Sequence, residues 1–162
     1  MESVQECLEE ILDKGFPELK KKGIQLVEEK RLSPLIGKGM MTIITGKSIE
    51  ITYAPDIASC PPEAIKGLLA HELAHVYQVT SWKWRILDVI FYPFLRLVPA
   101  FNERYHRKAT SLDRHYLGFY TQVCMGRDPR MVRYEIWRER NADLIAIQRG
   151  YCEYLRTTDA VL

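Results

Sequence analysis

Apolar positions in the first segment recur at intervals of three and four. Val4, Cys7, Leu8, Ile11 and Leu12 fall on one side of a helical wheel over Glu2 to Asp13, which predicts an amphipathic helix with one buried face. Ser3 stands where a cap belongs, with Glu6 three residues on. Each of those side chains can then satisfy a backbone N–H that the first turn leaves without a helical partner. Lys14-Gly15 closes the helix, and Pro17 forbids its continuation. The period then changes. Gly23 to Glu28, with Ile24, Leu26 and Val27, reads as a short strand. Met40 to Thr45 and Ser48 to Tyr53 are β-branched or apolar runs, and Gly46-Lys47 between them is a two-residue hairpin signal. Ile49, Ile51 and Tyr53 alternate with Glu50 and Thr52, so one face of that strand belongs in a core.

The helical period returns at Ser59-Cys60-Pro61-Pro62-Glu63, where proline in the first turn and an acid near the positive end both favour a helix start. Ile65, Leu68, Leu69, Leu73 and Val76 carry it to about Thr80. Trp82 to Phe101 is unusually apolar, and Pro93 and Pro99 predict breaks in it. Asn102 to Cys124 reads as a basic helix that ends near Gly126-Arg127-Asp128-Pro129. Arg130 to Gly150 reads as a last helix with a terminal glycine, followed by a short tail at 151–162. The expected fold class is α+β: an N-terminal helix, a small three-stranded sheet, then a mostly helical C-terminal half. A length of 162 residues, with no internal repeat and no glycine- or serine-rich linker, predicts one compact domain over 1–162.

Composition changes this picture little. Apolar residues at 47% and charged residues at 27% exclude disordered and collagen-like classes. No run of about 18 uncharged apolar residues predicts a membrane-spanning helix, and Met1 to Glu6 lacks the basic start of a signal peptide. A cytoplasmic location is expected. Cys7, Cys60, Cys124 and Cys152 form no C-x-x-C pair, so free thiols are expected, a Cys124–Cys152 bridge requiring a cytosol that keeps disulfides. Charge is more informative. The net +2 conceals a −3 balance over 1–80, +6 over 81–140 and −1 over 141–162. Residues 81–126 are therefore an apolar and basic insert. Such a block meets phosphate, lipid headgroups or acidic protein, or is simply a solvated face. For Trp82 to Phe101 three readings are open: buried core, an interfacial membrane hairpin, or an oligomer surface or groove wall.

The chain has four histidines, and two of them stand in His71-Glu72-Leu73-Ala74-His75. This is H-E-x-x-H inside a helical pattern. Four residues advance about 6 Å and a little over one turn, so both imidazoles project from one face. That spacing suits two ligands of one zinc ion, and Glu72 stands beside them as a base for a water whose pKa the metal lowers. A zinc ion in a catalytic site takes a third protein ligand. The candidates are His106, His115, Glu103, Glu135 and Glu139. Glu139 and Asp143 share a helix face, and Ala142 beside them is small enough for another helix to approach. Asp143 can accept the free N–H of a zinc-bound histidine. The alternative for this acidic pair is a solvated face balanced by neighbouring arginines.

The two motifs together, His71-Glu72-Leu73-Ala74-His75 and Glu139-Arg140-Asn141-Ala142-Asp143, resemble those of the gluzincin zinc metallopeptidases. The short length and the helix and strands before the first motif resemble the minigluzincins. The E-x-x-A-D form and the 63-residue gap between His75 and Glu139 are similar to HtpX-like and CAAX-processing membrane peptidases. Arg138 stands where thermolysin-like members usually have asparagine. The resemblance implies a zincin-like fold. It also implies Zn2+ on His71, His75 and Glu139, Glu72 as general base and acid, and Asp143 orienting His71. It implies that the strand Ser48 to Tyr53 is the rim edge strand that pairs with substrate, and that the tail 151–162 can occupy the cleft and hold the enzyme latent. The expected activity is metalloendopeptidase hydrolysis of a peptide or protein substrate. Nucleic acid is not an expected partner of that enzyme, whereas peripheral membrane contact through Trp82–Phe101 is. The rival from another class is a non-catalytic zinc module that binds nucleic acid, membrane or protein through the basic block.

Overall fold

The computed structural model describes residues 2–30, 40–46, 48–97 and 129–151, with side chains at all of these except 91–97 and 129–136. The expected α+β class holds: a small three-stranded sheet accompanied by mostly helical structure.

The first helix, α1 (Val4–Lys14), begins at the expected capping box. The Glu6 backbone N–H donates to Ser3 Oγ at 3.2 Å, and the Ser3 N–H donates to Glu6 Oε2 at 2.7 Å. Val4, Cys7, Leu8 and Ile11 form its buried face. The Gly15 N–H closes the last turn on the Ile11 carbonyl, and Pro17 opens a short 3-10 helix, Pro17–Lys22. Gly23, at φ 63°, then turns the chain into the sheet with a backbone conformation that costs a side-chain-bearing residue more.

The strands are β1 (Ile24–Glu28), β2 (Met40–Ile44) and β3 (Ile49–Tyr53), in the order β1-β3-β2. The hairpin is present: β2 pairs antiparallel with β3, Ile44 opposite Ile49 and Met40 opposite Tyr53. Its turn is closed by the Thr45 N–H on the Ser48 carbonyl at 2.9 Å. β1 pairs parallel with the other side of β3, Ile24 opposite Ile49. This corrects one expectation. The strand Ser48 to Tyr53 is the centre of the sheet, and among the described residues β2 is the edge strand next to it. The physical reason is burial on both faces: Ile49 and Ile51 on one and Thr52 on the other are all buried, so β3 needs a partner on each side for its backbone N–H and C=O groups.

The long helix α2 (Pro62–Thr80) has Pro62 at its first position, and the Ile65 N–H bonds back to the Pro61 carbonyl. Its buried residues include Ala64, Ile65, Leu69, Leu73, Val76 and Gln78, spread round most of its circumference. A helix apolar on nearly every side lies inside the structure rather than on it. The sheet face that carries Met40, Thr42 and Ile51 meets it, because Thr42 bonds Glu72.

The next helix, α3 (Trp82–Leu97), runs through Pro93 and does not break there. Proline removes one donor, the one that would serve the carbonyl of Val89. Val89 is exposed, so water can take that place. The buried-core reading of the apolar insert does not hold for its first half: Trp82, Ile86, Val89 and Ile90 are exposed. Among the described residues, no helix is long and apolar enough to cross a membrane. The last helix, α4 (Pro129–Gln148), buries Ala142, Ile145 and Ala146 and is followed by a turn with Gly150 at φ 94°. Expectations for Asn102 to Cys124, for Cys124–Cys152, and for the tail beyond Tyr151 lie outside the described residues, as do Glu103, His106 and His115.

The chain divides into two compact units, Met1–Gln78 with Ala142–Leu162, and Val79–Asn141. In the first, the end of α4 is fastened to the end of α1 by Arg149. Its guanidinium donates to the Gly15 carbonyl and to Glu18 Oε1, and lies 4.3 Å from the Phe16 ring centre and 4.7 Å from that of Tyr77. The Tyr151 ring covers Gly15 so closely that a Cβ there would come within 2.7 Å of it. Lys66 of α2 bridges Glu2, just before α1, at 3.0 Å and Glu10 on α1 at 2.5 Å. Hydrogen bonds from Lys14 and Lys66 pull the Glu10 carboxyl down to about 2. Burial pushes the Cys7 thiol up to about 11, which makes it an inert core thiol.

In the second unit, Trp84 of α3 is half-buried against Trp137 of α4, ring centres 5.9 Å apart.

Arg149→Ala, which removes a charged donor from a carbonyl and a cation from two rings, is expected to lower the unfolding free energy by about 2 kcal/mol in a urea titration. Glu10 has its folded pKa below the ordinary 4.5. Its contribution to stability is therefore complete above pH 4.5 and is lost as the pH falls toward about 2. Glu10→Gln should flatten that part of the stability–pH curve.

Candidate metal centre

The position of the H-E-x-x-H residues follows from the packing of α2. Leu69, Leu73 and Val76 are fully buried and set the rotation of the helix. His71 and His75, one turn apart, then share a half-buried face, and the His71 side chain is 14% exposed. The two rings stand perpendicular, at 87°, with centres 4.7 Å apart. Their Nε2 atoms face each other at 3.1 Å.

The outer nitrogens explain that arrangement. His71 Nδ1 lies 2.7 Å from Asp143 Oδ1, and Asp143 is 2% exposed. His75 Nδ1 lies 3.3 Å from Gln78 Oε1, and Gln78 is likewise buried. A carboxylate oxygen and an amide oxygen both accept, so each Nδ1 carries the proton and donates it. The two Nε2 atoms are then turned toward one another, 3.1 Å apart. Zinc bonds of about 2.0–2.1 Å in tetrahedral geometry hold two nitrogens about 3.3 Å apart, near the observed separation. The donor set therefore fits a zinc ion.

Glu139 lies one turn before Asp143 on α4, so both carboxylates are on the same side of that helix. One ligand atom each from His71, His75 and Glu139 lie within 4.8 Å of one another, and all three residues are half-buried. Two imidazoles and a carboxylate are zinc ligands, and three protein ligands leave a position for water or substrate. Of the other candidates for the third ligand, Glu135 lies on α4 with its side chain outside the described set.

Glu72 is buried on α2, and its carboxylate accepts a 2.6 Å hydrogen bond from Thr42 Oγ1 of β2. A hydroxyl bond this short to a charged oxygen is among the stronger of its kind. Thr42 and Gln78 are the two site residues that sequence reasoning missed. Gln78 follows His75 by three residues, a helical spacing that marks a neighbour on the same face. Thr42 carries no such signal, since thirty residues separate it from Glu72.

Asp143→Ala is expected to weaken zinc binding about 10–100-fold in competition with a chromophoric chelator, because His71 would lose the acceptor that holds its ring and tautomer. Asp143→Asn, which keeps an acceptor oxygen, should retain most of the affinity. No family model, curated protein or solved structure matches this chain.

Proposed function

We propose that the protein is a zinc-dependent metallopeptidase of gluzincin type. The observation that carries this reading is the pair of opposed Nε2 atoms, 3.1 Å apart, with both Nδ1 atoms engaged by buried acceptors. Two imidazoles held this way would serve as ligands of a divalent ion, with Glu139 as the third donor. When bound, zinc would acidify water and polarise a carbonyl.

The chain's own residues do the rest. Glu72 takes the proton of the water that attacks the scissile carbonyl and passes it to the departing amine. Thr42 holds Glu72 Oε2, which leaves Oε1 to carry that proton. Asp143 and Gln78 hold the two imidazoles in the tautomer that presents Nε2. A peptide substrate is favoured by β2. It is the edge of the sheet among the described residues, and its Thr42 touches Glu72. An extended chain paired along that edge would pass beside the base, its backbone satisfying the strand's open N–H and C=O groups. A non-catalytic zinc staple would leave the buried, hydrogen-bonded Glu72 without a role.

The test joins elemental analysis to a peptide-library digest. Glu72→Ala should keep zinc and lose hydrolysis by about 10²–10⁴-fold, the range that a general base contributes. His75→Ala should lose both. Thr42→Val should keep zinc and lower kcat by about tenfold, as expected for one lost charge-assisted bond. Full activity in Glu72→Ala would overturn the mechanism.

A further inference from the structure

The first half of α3 is built inside out. Trp82, Ile86, Val89 and Ile90 recur at helical spacing and are 67%, 48%, 72% and 59% exposed. Trp84 and Asp88, also one turn apart, take the opposite side and are half-buried. The rotation is set by Trp84, whose ring packs on Trp137 at 5.9 Å. The only acid between Trp82 and Ile90 is thus turned inward, while the apolar strip faces out. Its two borders are cationic: Lys83 and Arg85 are both exposed, and Lys83 Nζ lies 6.0 Å from the centre of the Trp82 ring. Trp82, Arg85, Ile86, Val89 and Ile90 line one open groove.

We propose that this face of α3 is a docking surface for an anionic lipid bilayer. Charge selects that occupant. Residues 81–140 carry 12 Lys and Arg against 6 Asp and Glu, and a layer of acidic headgroups satisfies the rim while the acyl boundary takes the apolar strip. Tryptophan next to lysine suits the level where headgroups meet chains. A second copy of this chain fits less well, because a two-fold contact through the strip would bring Lys83 and Arg85 of one molecule against those of the other. The contact is peripheral, since no described helix is long and apolar enough to cross. It is independent of the proposed peptidase activity.

The test is sedimentation of the full chain with vesicles of phosphatidylcholine alone and with about one part in three phosphatidylglycerol, near physiological salt. Wild-type protein should pellet with the anionic vesicles and much less with the neutral ones. Val89→Asp and Ile90→Asp should each weaken that binding about tenfold or more, since each places a charge where apolar surface is buried. Zinc binding and helix content should be unchanged in both. Brominated lipid should quench tryptophan fluorescence, and Trp82→Phe should remove most of the quenching. Four results would overturn the proposal. They are no pelleting of wild type with anionic vesicles, pelleting that Val89→Asp leaves intact, a lipid-free dimer that Val89→Asp dissolves, and a Val89→Asp variant that unfolds at clearly lower denaturant. The third would assign the face to a second copy, and the fourth would show the chain covering it itself.

Discussion

A carboxylate with almost no exposure to water sits 2.7 Å from an imidazole nitrogen, and that contact joins α4 to α2. Burying Asp143 without a partner would be strongly unfavourable, and removing one member of such a pair typically costs about 3–5 kcal/mol. His71 answers that demand with its Nδ1 proton. The consequence is chemical as well as structural. With Nδ1 committed to Asp143, Nε2 faces the matching nitrogen of His75. The bond that fastens the last helix to the central one therefore also sets which way the His71 ring faces.

The central helix serves packing and chemistry with different sides. Leu69, Leu73 and Val76 are fully buried, and their packing holds α2 against rotation. Rotation by one residue would carry His71 and His75 about 100° away from their acceptors. Glu72, between them in sequence, points elsewhere and meets Thr42 of the edge strand. The two proposed ligands and the proposed base thus come from five consecutive residues, and each is oriented by a different partner: Asp143, Gln78 and Thr42. Such supporting contacts keep a site at fixed geometry without help from the groups it acts on.

The same logic, run in reverse, describes α3. There, packing of Trp84 on Trp137 turns the apolar strip away from the interior. Apolar surface of this kind costs free energy in water unless something covers it. The basic surplus of the surrounding sequence is the feature that distinguishes a lipid surface from a second copy as that cover.

Much of this was legible in the chain. Ser3 and Glu6, Gly15 and Pro17, and Pro62 mark helix ends because capping is a local interaction among residues three or four apart. The hairpin was legible in Gly46 and its flanking alternation, and the histidine pair in its spacing of four, since one helix turn makes those residues neighbours wherever the helix lies. What local spacing does not carry is which strand lies in the middle, or which face of a helix looks outward. β3 reads as a half-buried strand, yet it takes partners on both edges because β1 comes back beside it. Trp82 to Phe101 is open to several readings by hydropathy, core among them, and its first half is exposed because hydropathy does not say which side Trp84 will pack on. Thr42 is silent in sequence, because its meaning depends on a helix thirty residues away. The sequence by itself determined the H-E-x-x-H spacing and the elements that bear it, through interactions that act within a turn or two. Only the tertiary structure decided how each imidazole is held, what supports Glu72 and which apolar surface stays open. Those depend on contacts between residues far apart in the chain, and no periodicity encodes them.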